Sequence, residues 1–412
     1  MGTDFSRRTF LTGLGAGATV GAAAVSGMAK PPQAHAIGLE RQPEEEPKPP
    51  LQEAVVPFDG AHQAGIRTHA QSHLWMIAFN AKSGVGLEEF RRLFRVWTTD
   101  ARKMTAGEAP MTDLEPEMYF APANLTITVG LGPRFFELID REDEKPEWLE
   151  QLPEYPGDEI EDRWSGGDIC LQVCSDDQLM LSHASRYLIR NAATYLDLAW
   201  IQEGFRNAYG SAERDRTTRN RFGQIDGTIN PRTDEDFEDQ IWIAEGPDWL
   251  RGGSALVVRR IKMDIENWDM LDRPSREEVI GRRLDNGAPL GQENEHDPVD
   301  LEATDEYGLP YIDRNSHMAL AMPPREFPHQ RLLRRVYNYD LPPEPGSDSL
   351  VNTGLIFACY QKDPLKHFDP IQRRLAESDR LNEWITHVGS AVFVIPRGTN
   401  ENEYWAQDLL ED

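Results

Sequence analysis

Ile169, Leu171 and Val173 alternate with Cys170, Gln172 and Cys174, a period of two that an extended strand lays out on two faces. Short apolar segments rich in β-branched residues recur at Leu74 to Ala81, Leu125 to Gly130, Ala255 to Ile261, Leu355 to Tyr360 and Ala391 to Ile395. Between them, Leu87 to Met104 and Asp177 to Tyr195 carry apolar residues at helical spacing with charged opposite faces, and Pro370 to Val388 has helical periodicity. Ser275 with Glu278 reads as a capping box that opens a helix through Arg282. Strands and helices intermix without a regular βαβ rhythm, which favours an α+β fold over a doubly wound sheet. The acidic, Gly/Pro-rich stretches 139–166 and 284–312 are long loops, and loops of that length are functional or disordered. No internal repeat is visible. A chain of 412 residues is long enough for two or three domains, and the boundary falls near residues 232–250, after the Asn230-Pro231 turn.

The first 36 residues read as an address. Ser6-Arg7-Arg8-Thr9-Phe10-Leu11 precedes a Gly/Ala-rich, mildly apolar stretch, and Ala34-His35-Ala36 offers small residues at a cleavage position. The paired arginines mark the twin-arginine variety of export signal. That machinery carries folded proteins, so the mature chain is expected in the periplasm or outside the cell with a cofactor already in place. Residues 37–55, centred on Pro43-Glu44-Glu45-Glu46-Pro47-Lys48-Pro49-Pro50, form a linker with nothing to bury.

Charge excludes whole classes of partner. The chain has 70 acidic against 43 basic residues, a net charge of −27, so it lacks the clustered cations that hold a phosphate backbone or an anionic membrane surface. Beyond the address no apolar run approaches the ~20 residues needed to span a bilayer. Three cysteines, Cys170, Cys174 and Cys359, make no disulfide framework.

Three polar residues stand out from their surroundings. Asp226 lies in Phe222-Gly223-Gln224-Ile225-Asp226-Gly227-Thr228-Ile229-Asn230-Pro231, where flanking glycines allow a ligand to approach the backbone. His317 precedes the apolar run Met318 to Pro323, and Arg334 sits in Arg331-Leu332-Leu333-Arg334-Arg335-Val336-Tyr337-Asn338-Tyr339. Taken singly, each has an ordinary structural reading: a turn aspartate, a core histidine, a charged position on a strand surface. Tyr337 and Tyr339 could relay electrons, but aromatics at alternate strand positions more often pack. The His296-Asp297 loop beside Glu293 and Glu295 could hold a metal, although a solvated acidic loop is the commoner case.

Together with other segments these residues resemble one family. Gly60-Ala61-His62-Gln63-Ala64-Gly65-Ile66, Gly130-Leu131-Gly132-Pro133, Gly166-Gly167-Asp168 running on to Cys174, Gly252-Gly253-Ser254 leading to Val257-Val258-Arg259-Arg260, Glu278 to Arg283, the Arg334-Arg335 segment and Gly354-Leu355-Ile356-Phe357 occur in the order found in dye-decolorizing peroxidases. The resemblance runs from about Phe58 to Tyr404, and the Asp226 segment is its most specific part.

The resemblance implies two ferredoxin-like α+β domains with antiparallel sheets, of the dimeric α/β-barrel type. These would be an N-terminal one over 56–235 carrying the distal Asp226 and a C-terminal one over 236–408 holding most of the cofactor. It implies haem b (iron protoporphyrin IX), with hydrogen peroxide and organic donors such as dyes and phenols as substrates. His317 would be the axial ligand, with Asp379 as acceptor for its other ring nitrogen. Asp226 would move the peroxide proton, and Arg334 would stabilise charge as the O–O bond breaks heterolytically. Gly227, Thr228 and Ile229 would pass the haem edge. An acidic pH optimum is implied as well, and a homo-oligomer is compatible with the sequence.

The chain departs from the family in two places. Where members carry Ile-Arg and Asn-Pro-Arg after the histidine, this one has Met318-Ala319 and Met322-Pro323-Pro324, which leaves Arg325 as the substitute propionate partner. The interval from His317 to Arg334 is one residue shorter than usual, so Arg335 is the alternative for the distal role. The competing function is an exported haem-binding, iron-acquisition protein of deferrochelatase type.

Overall fold

The computed structural model describes residues 49–211 and 217–411; the expected export signal and the linker up to Lys48 lie outside the described residues. Among the described residues there are nine strands: β1 (His73–Ala81), β2 (Thr126–Leu131), β3 (Ile169–Ser175), β4 (Leu196–Phe205), β5 (Ser254–Met263), β6 (Leu333–Arg334), β7 (Tyr337–Leu341), β8 (Asn352–Gln361) and β9 (Ile385–Ile395). The helices are α1 (Leu87–Thr105), α2 (Pro133–Leu138), α3 (Gln178–Ala192), α4 (Asp234–Gln240), α5 (Ile265–Trp268), α6 (Arg273–Ile280), α7 (His317–Ala321), α8 (Phe368–Ser378) and α9 (Gln407–Glu411).

All strand pairings are antiparallel, and the sheet runs β5-β9-β2-β3-β1-β4-β7-β8-β6 with β5 also paired to β8. The first half is a β1-α1-β2-β3-α3-β4 unit with spatial order β2-β3-β1-β4. The second half repeats that connectivity as β5, helices, β7, β8, α8, β9, with order β7-β8-β5-β9. Each is a ferredoxin-like βαββαβ unit, so the α+β expectation holds, and a repeat invisible in the residues is plain in the topology. Single residue pairs, Leu131 with Val394 and Phe205 with Asn338, join the halves at two seams, and β5–β8 pairing completes a closed ring.

Ring closure buries both faces of the strands. Leu74, Met76, Cys174, Val258, Tyr360 and Phe393 pack inside, whereas Ile77, Leu171, Val173, Val257 and Val392 meet the helices outside. All seven residues of β3 are therefore buried, not the half-buried strand its alternation predicts. Phe90, Phe94, Trp97, Ala101 and Met104 form the inward stripe of α1, with Glu88 and Glu89 in its first turn and Arg102 and Lys103 in its last, complementing the helix dipole.

Two boundaries differ from expectation. Asp272, not Ser275, caps α6: its carboxylate accepts from Ser275 N at 2.9 Å, and Gly281 ends the helix at φ 87°. The helical stretch expected through Val388 stops at Ser378, because Asp379 caps a new turn and β-branched Ile385 opens β9.

Candidate active site

A cavity of about 260 Å³ lies against the outer face of the second unit's strands, where a single water needs roughly 10–15 Å³. Ile261, Leu355 and Phe357 of β5 and β8 form apolar wall, and Phe368, Ile371 and Leu375 of α8 form more of it. His317, Asp379, Asp226, Gly227, Thr228, Ile229 and Arg334 all line this one space. The expectations for these seven residues converge on it from segments far apart in sequence.

His317 is the first residue of α7, whose N-cap Ser316 accepts from Ala319 N at 3.4 Å. Gly281 lets α7 come close, since a Cβ there would stand 2.8 Å from Ser316 Oγ. His317 Nδ1 is 2.6 Å from Asp379 Oδ2, and the other carboxylate oxygen accepts from Leu381 N at 2.9 Å. Asp379 is thus fixed twice while only 4% exposed. Donation from Nδ1 leaves Nε2 as the nitrogen available to a metal.

Asp226 is held by a tight hairpin. Asn220 Oδ1 accepts from Phe222 N and Gln224 N, Arg219 pairs with Ile225, and Arg219 reaches across to the carbonyls of Leu284 and Asp285. Gly227, at φ 105°, turns the chain directly after the aspartate. Arg334 Nη2 lies 2.7 Å from Asp226 Oδ1, with its guanidinium over the Phe357 ring. The contact is off the hydrogen-bonding direction, so Asp226 Oδ1 and Arg334 Nε are buried without a hydrogen-bond partner.

No pattern in the residues singles out the part played by Asn230. Its Nδ2 donates to Arg334 O at 2.7 Å and its Oδ1 accepts from Arg334 N at 3.0 Å, a two-point clamp between the Asp226 segment and β6. Arg259, Arg282, Arg331 and His387 also line the cavity, and the sequence reading assigned none of them a role. Arg259 was detectable in principle, since two arginines inside the apolar run Val257 to Ile261 must find buried partners. Burial, with the charge of Arg259 nearby, pushes His387 down to about 3 and keeps it neutral. Burial likewise lowers Arg282, which donates to the carbonyls of Gly287 and Glu295.

Other expectations fall outside the cavity. Arg325 is exposed and is not among the lining residues, because the turn after α7 carries it outward; Arg331 takes a place on the wall instead. Strand alternation sends Arg335 away from Arg334: it is 3% exposed and donates to Thr68 O and Gln71 Oε1. Tyr337 and Tyr339 are packed inside the ring, with Arg206 and Arg260 against their faces. In the His296 loop, Asp297 accepts from Glu293 N and Asn294 N, and His296 meets Arg232, which describes a solvated turn.

Residues 63–206 match the model of the Dyp-type peroxidase N-terminal region and residues 217–400 that of the C-terminal region. A dye-decolorizing peroxidase of Thermobifida fusca (strain YX) is 38% identical, the alignment covering 98% of this chain and 97% of the relative. A deferrochelatase of Shigella sonnei (strain Ss046) is 32% identical over the same shares. The crystal structure of a DyP-type peroxidase from Cellulomonas bogoriensis superposes with a TM-score of 0.84 at 43% identity, covering 88% of this chain and all of that one, 100%.

Proposed function

The chain belongs to the Dyp-type peroxidase family, and we propose that it is a haem peroxidase that reduces hydrogen peroxide and oxidises dyes, phenols or other organic donors. The observation that carries this reading is one apolar cavity lined both by an imidazole backed by a carboxylate and by the Asp226–Arg334 pair. The residues fit haem b: one ring nitrogen for iron, apolar walls for a porphyrin, and two buried polar atoms, Asp226 Oδ1 and Arg334 Nε, still lacking hydrogen-bond partners. His317 Nε2 would bind the iron, and Arg282 and Arg331 are the cavity arginines that would meet the porphyrin carboxylates.

Bound haem would supply the electrons that split the O–O bond. Asp226 Oδ1 takes a proton from one peroxide oxygen and returns it to the other, which departs as water. Arg334, 2.7 Å from that carboxylate, would stabilise negative charge on the departing oxygen. Asn230 keeps the two in register, and the apolar wall excludes the bulk water that would compete for both.

Deferrochelatase relatives make iron handling the second reading. Asp226 and Arg334 favour the peroxidase, because a carrier has no need of a proton-transfer pair. Steady-state oxidation of an anthraquinone dye by haem-loaded protein separates the two. Turnover that falls about 10²–10⁴-fold in Asp226→Asn supports the peroxidase; no turnover in the wild type at any pH from about 3 to 7, where a carboxylate titrates, rejects it.

Export by the twin-arginine route is part of this proposal, supported by Arg7-Arg8 and the small-residue site at Ala34-His35-Ala36. Replacing both arginines with lysine should leave the protein in the cytoplasm; unchanged export in that variant would remove the assignment.

A further inference from the structure

The cavity has a buried charge pair that peroxide chemistry does not use. The loop 139–166 lays its later part along β9: Glu159 N donates to His387 O at 2.9 Å and Glu161 N to Val388 O at 3.0 Å. This brings Asp158, its side chain 3% exposed, behind the cavity wall. Its Oδ1 accepts from Arg259 Nη2 at 2.5 Å and stands 3.7 Å from His387 Nδ1. Arg259 is 1% exposed, lines the cavity, stacks over Tyr155 and has an Nε without a hydrogen-bond partner. Tyr155 in turn donates to Asp369 Oδ1 of α8 at 2.8 Å.

A buried ion pair is a poor device for stability, because desolvation offsets most of its attraction. It is a good device for fixing a local potential, because charges in the interior act at an effective dielectric near 20, not 80. Arg259 is the member on the wall and Asp158 the member behind it, so the carboxylate cancels a positive charge that would otherwise face the cofactor.

We propose that Asp158 is the counter-charge that sets the electrostatic potential of the cavity, and through it the reduction potential of the bound iron. The inference rests on the haem reading and adds a positioning role for a loop contributed by the other half of the molecule. Without Asp158 the uncompensated guanidinium stabilises the iron form of lower positive charge. With Asp158 the oxidised form, which meets peroxide, is the one favoured.

The test is a spectroelectrochemical titration of haem-loaded full-length protein as wild type, Asp158→Asn, Arg259→Met and the double variant. Asp158→Asn should raise the ferrous-to-ferric ratio at a fixed electrode potential by about tenfold or more. Arg259→Met should lower it, and the double variant should return near wild type. The double removes both charges of this pair and leaves neither unpaired, so it keeps the test open if Asp158→Asn fails to fold. Single variants that leave the ratio unchanged, or move it in the same direction, overturn the proposal and leave the peroxidase reading intact. A wild type that binds no haem overturns both.

Discussion

Asp379 ends α8, caps the turn that follows and holds His317, one carboxylate oxygen for each of the last two tasks. An amide cannot do both in the same way. In Asp379→Asn the side-chain oxygen can still accept from Leu381 N, but its NH₂ then faces Nδ1 and forces the proton onto Nε2, the nitrogen a metal needs. Cofactor retention should weaken about 10–100-fold with little change in thermal stability, read from haem transfer to apomyoglobin; unchanged retention would free Asp379 from this role. Asn230 allows a second test at this scale. Asn230→Ala leaves the Arg334 N–H and C=O without partners, a cost of about 1–3 kcal/mol. It should lower peroxide turnover while the haem spectrum stays, because His317 is untouched. Asp226, His317 and Arg334 were legible only together: each reads as ordinary by itself, and the ordered set of segments around them, the Asp226 segment above all, marks them. Arg259 and His387 were not, because strand residues that serve a cavity alternate with packing residues in the same pattern.

Among the elements, strands were easier to read than their ends. The seeds of β1, β2, β3, β5, β8 and β9 all show in β-branched composition, whereas β6 has two residues and no periodicity to detect. Helix ends were misplaced where a competing cap won, Asp272 over Ser275 and Asp379 over the continuation of α8. The closeness of paired strands is set at a few glycines. A Cβ on Gly354 of β8 would lie 2.0 Å from Ile261 O and 2.7 Å from the Tyr339 ring. Gly354→Ala should therefore destabilise by roughly 1–3 kcal/mol, seen as a lower Tm. An unchanged Tm would mean that β5 and β8 yield more easily than their packing implies.

At the scale of the molecule, two βαββαβ units close one ring through two narrow seams, and the cavity lies outside that ring on the second unit. The sequence carries the units but not the closure, since single pairs such as Leu131 with Val394 leave no trace in composition. Acid should test the assembly. His387 is held near 3 when folded, against about 6.5 unfolded, so between those values the unfolded chain binds the extra proton. Stability therefore falls as pH drops from about 6.5 toward 3, by an amount on the order of 2–4 kcal/mol. Urea midpoints of the wild type should drop over this window more than those of His387→Gln; parallel profiles would contradict a neutral buried His387.

The most direct measurement is the visible absorption spectrum of purified protein titrated with haem, compared with His317→Ala. The wild type should reach one haem per chain with a sharp Soret band that changes on adding peroxide. His317→Ala should lose that band while keeping its fold. A wild type without stoichiometric haem, or a variant whose band and peroxide response match it, would contradict the assignment of this cavity to an imidazole-held iron porphyrin.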